Sequence, residues 1–183
     1  SKPFSLSIIE QAAVVQVGDA KNLRRSLALT LELALLGRPV VLTLNMMDEA
    51  RSLGVSIDRA ALERRLGIPV IETIAIRRQG LGRLRSAWPR AGVPAIQARY
   101  PEPIEQALSK IESLLPNTGV SSRFLAVLFL SGDKTIFPWI RARVDKGIIE
   151  VCEKIRLAVS REMTEPVSNA IQKSHLAAVE EVL

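Results

Sequence analysis

The chain holds a single cysteine, Cys152, and a single histidine, His175. An internal disulfide is thereby excluded, and no Cys/His set with zinc-ligand spacing exists. A Ser-His-Asp or Cys-His mechanism would have to run through His175, which stands far from any nucleophile-elbow sequence. Aromatic residues make up only 4% of the chain, and Tyr100, Trp88 and Trp139 are too scattered for a platform on which bases stack. No helical stretch gathers Arg, Asn and Gln on one face, so base readout by a recognition helix is also disfavoured. The longest uninterrupted apolar run, Phe124–Leu130, is seven residues, against roughly 18 needed to cross a bilayer. The opening residues show no basic stretch leading into an apolar core, as a signal peptide would. A soluble, cytosolic segment is the expectation.

What is present is an ordinary globular balance. The 183 residues are 48% apolar and 24% charged, enough for one large domain or two small ones. The net charge of +6 is unevenly spread. Residues 1–99 carry 15 basic and 8 acidic side chains, and residues 100–183 carry 10 and 11. Such asymmetry points to two modules, the first facing an anionic partner: nucleic acid, a nucleotide or the anionic cytoplasmic leaflet. The plain alternative is a solvated basic face.

The first half alternates apolar runs with amphipathic stretches. Phe4–Ile9, Ala13–Val17, Pro39–Leu44 and Pro69–Ile74 read as strands, the third nearly all apolar, as a parallel strand covered on both faces must be. Asn22–Leu36 has helical spacing and a stop at Gly37 and Pro39; Asp58 caps a helix through Leu66, ended by Gly67. This is the pattern of a layered α/β fold. Proline and glycine crowd Trp88–Pro103, the expected boundary between a first domain, 1–95, and a second, 96–183. Beyond it the periodicity is helical: Pro103–Leu115, Ser121–Leu130, Trp139–Met163 and Glu165–Leu183. Cys152 reads as core, His175 as a surface or interface side chain, and Asp133 as a turn or cap residue.

Asn45-Met46-Met47-Asp48 follows directly on the buried strand. In open α/β sheets ligands bind just outside the carboxyl ends of the strands. Guanine presents N1–H and its exocyclic amine as adjacent donors, which one carboxylate, Asp48, can accept together. Adenine presents an acceptor at the equivalent ring nitrogen and repels it. A charge-assisted hydrogen bond is worth about 1.5–3 kcal/mol, and Asn45 would bridge base and neighbouring loop. The bland alternative is an Asp capping a helix after a strand.

Gly18–Leu33 and Gly37–Asp48 closely resemble the GTP-binding domain of the FeoB ferrous iron transporters. The similarity continues through Ile57-Asp58 and Leu62–Val70, and resumes at Arg123–Val127 and Leu130–Asp133, which look like that family's Arg-aromatic-Leu-Ala and Glu-Gly-Asp signature. The resemblance implies a Ras-like P-loop GTPase sheet, a small all-α helical regulatory domain, and a membrane permease beyond this chain. It implies binding and hydrolysis of GTP that regulate Fe2+ uptake at the cytoplasmic face of a bacterial inner membrane. Asn45 and Asp48 become the guanine pair, with Met46 along the base. The next base-binding loop becomes Ala75–Gly80, where Ala75 and Ile76 replace small polar residues and would act through backbone N–H groups. Arg77 and Arg78 read as ligand contacts or as solvated loop charges. GTP or GDP is the implied ligand and Mg2+ the implied metal, with its ligands outside this chain; no nucleic-acid partner is expected.

The family's phosphate machinery is missing from the sequence. There is no Gly-x-x-x-x-Gly-Lys-Ser/Thr and no Asp-x-x-Gly to read the terminal phosphate. Phe4–Ile9 meets Glu10-Gln11-Ala12 without the dozen or more residues that a crossover between parallel strands requires. The sheet is expected to be incomplete. The competing classes are a non-catalytic protein-interaction module and a basic nucleic-acid-binding protein.

Overall fold

Apolar runs of four to six residues between amphipathic helices leave the chain one economical arrangement, a parallel sheet with helices packed on it. The computed structural model describes residues 12–183 and has that arrangement in its first half. The strand expected at Phe4–Ile9, and its junction with Glu10-Gln11, lie outside the described residues. Strands β1 (Val14–Asp19), β2 (Val40–Asn45) and β3 (Val70–Glu72) form a parallel sheet in the order β1-β2-β3. Register pairs Asp19 with Asn45 and Leu44 with Glu72, so the three carboxyl ends lie side by side. β1 runs two residues further than its apolar pattern suggested, bringing Asp19 to that end.

Helix α1 (Leu23–Leu35) starts at Asn22, whose Oδ1 accepts from the Arg25 N–H at 3.2 Å. Helix α3 (Arg59–Leu66) starts at Asp58, which accepts from the Ala61 N–H at 2.9 Å, and ends at Gly67 in the left-handed conformation. The cap at Asp58 and the stop at Gly67 are where their sequence signals put them, and the Asn22 cap opens the helix that the spacing marked. Two short helices had no legible period: α2 (Met47–Ser52), and α4 (Leu81–Ala87), which runs on into a 3-10 turn at Trp88–Arg90. Leu84 and Ala87 on α4 pack against Val41 and Ile71 of the sheet. A buried polar tie fixes α1 to β1: Gln16 Nε2 donates to the Ser26 carbonyl at 2.6 Å, and the Thr30 hydroxyl donates to Gln16 Oε1 at 2.9 Å. Gly18 lies so close to Ser26 that a Cβ there would be 2.5 Å from Oγ.

Among the described strands β3 lies at the edge of the sheet, and side chains occupy its outer groups. The Val70 N–H donates to Glu63 Oε1 at 3.0 Å, while Arg59 and Arg83 reach the Val70 and Glu72 carbonyls at 3.5 Å.

The chain divides into two compact units: residues up to Gln97 together with Ala177–Leu183, and Ala98–Leu176. The boundary expected at 95/96 gave the last seven residues to the helical half. Here they group with the sheet. Arg65 donates to the Glu181 and Val182 carbonyls at 2.9 and 3.0 Å, a cation on the open end of a helix, and Arg24 pairs with Glu180.

The second unit is helical: α5 (Glu102–Leu114), α6 (Ser122–Ser131), α7 (Phe137–Arg141), α8 (Lys146–Glu162) and most of α9 (Val167–Val182). Ile104, Leu108, Ile111, Leu125, Phe129 and Leu130 are fully buried in its core, with Cys152 beside them in burial. The single helix expected over Trp139–Met163 is two. α7 ends at Arg141, and Asp145 caps α8 by accepting from the Gly147 N–H at 2.7 Å. Asp133 caps the turn before α7, accepting from the Thr135 N–H and hydroxyl. His175, expected as a surface or interface side chain, is half-buried. Its Nε2 lies 2.8 Å from the Tyr100 hydroxyl, and the Arg123 guanidinium stands 5.3 Å over the Tyr100 ring while pairing with Glu105 and Glu112. No helix among the described residues is long and apolar enough to cross a membrane.

Candidate functional site

The carboxyl ends of β1, β2 and β3 bring together three short segments: Asp19–Asn22, Asn45–Asp48 and Thr73–Gly80. β2 is buried from Val40 to Leu44, and the chain surfaces only at Asn45. At Met46 the backbone turns left-handed, with φ 61°, one of two such non-glycine residues among those described. That conformation costs a side-chain-bearing residue about 1–2 kcal/mol, and it converts strand into helix α2 in one step. Met46 thus occupies the position before the helix, with no side-chain cap. Asp48 is the second residue of α2, so it is not the helix cap that the bland reading would make it.

Asn45 Oδ1 accepts from the Ala75 N–H at 3.0 Å and from the Thr73 hydroxyl at 3.2 Å. Thr73 is buried, and its N–H continues the ladder to the Leu44 carbonyl at 2.8 Å. One side chain therefore ties the end of β2 to the loop after β3. The Ala75 N–H, a candidate base donor from sequence, is committed to this tie. Ile76 is 87% exposed and Met46 38% exposed, so two apolar side chains flank the segment without packing in the core. Asp48 Oδ2 faces Arg77 at 3.7 Å, an open ion pair. Gly80 closes the loop with φ +85°, and a Cβ there would sit 2.3 Å from the Glu72 carbonyl oxygen, which only glycine avoids.

The structure adds residues that sequence reasoning did not single out as site residues. Thr73 is one; a hydroxyl just past a short strand is ordinary in sequence, and only the bond to Asn45 marks it. Lys21 and Asp19 are others. The Lys21 ammonium bonds Glu49 of α2, which raises its pKa above the ordinary value against desolvation, with Asp19 helping. Asp19 accepts from the Lys21 N–H at 2.8 Å. The Gly-Asp-Ala-Lys-Asn run was available as a signal.

Chemically, the arrangement offers a carboxylate on a first helical turn, an amide locked by the adjacent loop, and apolar flanks. It suits a planar, donor-bearing ligand edge and offers no nucleophile-base pair. Among the described residues, no cluster of three or more His, Cys, Asp or Glu is placed to hold a metal ion.

Comparison with known proteins also divides the chain in two, but counts the last seven residues with the helical part. Residues 5–88 match the family model for ferrous iron transport protein B, and residues 100–183 match the FeoB cytosolic helical domain. The Fe(2+) transport protein A/Fe(2+) transporter FeoB fusion protein of Porphyromonas gingivalis is 35% identical over 132 residues, covering 66% of this chain and 16% of its own length. The Fe(2+) transporter FeoB of Escherichia coli is 34% identical over 124 residues, with the same two coverages of 66% and 16%. The chain thus spans about a sixth of these relatives. Among solved structures, mGMPPNP-bound NFeoB from S. thermophilus superposes with a TM-score of 0.81 at 27% identity, over 96% of this chain and 68% of that one. NFeoB from S. thermophilus bound to GDP.AlF4- and K+ gives 0.76 at 26%, over 90% and 65%. The cytosolic domain of L. pneumophila FeoB gives 0.77 at 25%, over 97% and 69%.

Proposed function

Because this chain belongs to the FeoB family, as part of its cytosolic region, we propose that its first unit reads guanine nucleotides and that its helical unit is the regulatory domain of a ferrous iron transporter. GTP binding and hydrolysis by the intact protein would then regulate Fe2+ uptake through a membrane domain beyond this chain, at the cytoplasmic face of the bacterial inner membrane. The observation that carries the reading is the Asn45–Ala75 bond beside Asp48 at the carboxyl end of β2. The nucleotides named for the structural relatives, GDP.AlF4- and mGMPPNP, support it.

Asp48 is the specificity element. Its two oxygens accept from guanine N1–H and the exocyclic amine, displacing the loose contact with Arg77. Asn45 holds the loop after β3 with its oxygen and keeps its amide N–H groups for the ligand. Met46 and Ile76 supply apolar surface for the base. Adenine, with an acceptor opposite Asp48, leaves a carboxylate unpaired, and sites built this way reject the wrong partner by roughly 10⁴-fold. The phosphate-binding sequence is absent from this chain.

The test is Asp48→Asn in the intact protein, which turns one acceptor into a donor facing donors. GDP binding should weaken at least about tenfold, consistent with the loss of one charge-assisted pair, while xanthine nucleotides gain relative to guanine. Unchanged GDP affinity would overturn the assignment.

A further inference from the structure

Between Glu72 and Glu102 the sequence has no acidic residue and six arginines. α4 and the turn after it sort their side chains into three strips. Leu84 and Ala87 face the sheet. Leu81, Arg85 and Trp88, at i, i+4 and i+7, share a face on which Leu81 is 45% and Trp88 43% exposed. Arg83, Ser86 and Arg90 form the third strip, lining a groove of about 550 Å³ against the edge of β3. The carboxylates of that groove are already paired: Glu63 with Arg59, which lines the groove too, and Glu72 with Arg51. Among the described residues Arg83, Arg85 and Arg90 have no carboxylate partner within ion-pair distance.

From this juxtaposition we infer that the outer face of α4 and the Trp88–Arg90 turn docks on an anionic lipid surface. An exposed Trp and Leu bracketing an Arg suit the boundary between headgroups and acyl chains, where an indole sits at headgroup depth. The groove beside them presents two unmatched guanidinium groups to lipid phosphates, with geometry suited to paired oxygens. The charge is one-signed over the whole stretch, as attraction to an anionic leaflet requires. Two apolar side chains cannot hold a protein on a neutral bilayer, so binding must depend on lipid charge. The inference stands apart from the guanine reading and uses none of its residues.

The experiment floats the 183-residue chain with vesicles of phosphatidylcholine alone and of phosphatidylcholine mixed with phosphatidylglycerol. The chain should float with the mixed vesicles only, and high salt should release it. Each basic residue at such a surface contributes roughly fivefold in partitioning, so R83Q/R85Q/R90Q should lose about a hundredfold. L81S/W88S, which keeps every charge, should lose at least tenfold. The variant W139F leaves Trp88 as the single tryptophan, and its emission should shift to the blue with the anionic vesicles; this readout stands if either multiple variant fails to fold. Equal flotation with neutral vesicles, no flotation at all, or an unmoved Trp88 spectrum overturns the inference. So does a single-stranded oligonucleotide that displaces the vesicles and shifts Trp88 itself, which would assign the face to nucleic acid.

Discussion

Replacing Asn45 separates holding the site from reading the base. In Asn45→Ala two donors lose their acceptor. The Ala75 N–H belongs to an exposed residue and turns to water at little cost. The Thr73 hydroxyl does not have that option: Thr73 is 3% exposed, and its only other acceptor is the Leu44 carbonyl at a long 3.4 Å. A lost net hydrogen bond of about 1 kcal/mol, with the donor left part-satisfied, gives an expected destabilisation of about 1–3 kcal/mol. For a unit of about 100 residues this lowers the melting temperature by roughly 5–15 °C. Asn45→Asp keeps an oxygen at the same place and should recover most of that loss. Thr73→Val removes the stranded donor, so the double variant with Asn45→Ala should be less than additive by about 1 kcal/mol. Thermal and urea unfolding of the four variants without nucleotide measure all of this. Asn45→Ala melting within a degree of the parent, or Asn45→Asp costing as much as Asn45→Ala, would refute the assignment of Asn45 as the tie. Asp48, whose ion pair with Arg77 is open at 3.7 Å, should show almost no stability change in the same assay.

Gly80→Ala should destabilise the first unit by at least about 2 kcal/mol, since its Cβ would meet backbone rather than a movable side chain, and strained left-handed geometry adds about 1–2; unchanged urea midpoints would contradict the packing described. In the second unit, burial lowers the His175 pKa below its ordinary 6.5 and raises that of Tyr100 to about 12. The unfolded chain takes up a proton at His175 before the folded one does, so stability falls as pH drops through 6.5; it releases the Tyr100 proton first, so stability also falls above about pH 10. Urea midpoints across pH should show both limbs, with His175→Gln flattening the acid limb and Tyr100→Phe the alkaline one.

Much of the sheet was legible because its burial is written as composition: Val40–Leu44 is short, β-branched in part and almost wholly apolar, as a covered strand must be, while α1 showed by its spacing and α3 by its Asp58 cap. The place of Asn45 and Asp48 at the carboxyl end of β2 was legible because the buried apolar run stops at Leu44. Other features depended on tertiary neighbours. α4 has only Leu84 and Ala87 to bury, too few for a visible period, and two glycines at its start argue against it locally. The helix break at Asp145 turns on one side chain competing for the Gly147 N–H inside an otherwise helical run. Thr73 and Arg65 are generic residues in sequence, and acquire roles only when Asn45 and the end of α9 are brought to them. His175, read as a surface or interface side chain, owes its partner to the fold, since Tyr100 lies 75 positions away in the chain.

The occupied edge of β3 bears on how the protein behaves at high concentration. A short parallel strand at the rim of a sheet normally offers its free N–H and C=O groups to any passing strand, and self-association through such rims is a common route to precipitates and fibres. Here Glu63, Arg59 and Arg83 stand where a neighbouring chain's backbone would, so a second molecule must first break a carboxylate–amide bond and push guanidinium groups aside. Colloidal stability along this rim is thus a property of three charged side chains rather than of the strand itself. A substitution such as Glu63→Leu, mild by volume and on an exposed helix, would be felt first as aggregation during storage and only secondarily as a change in folding.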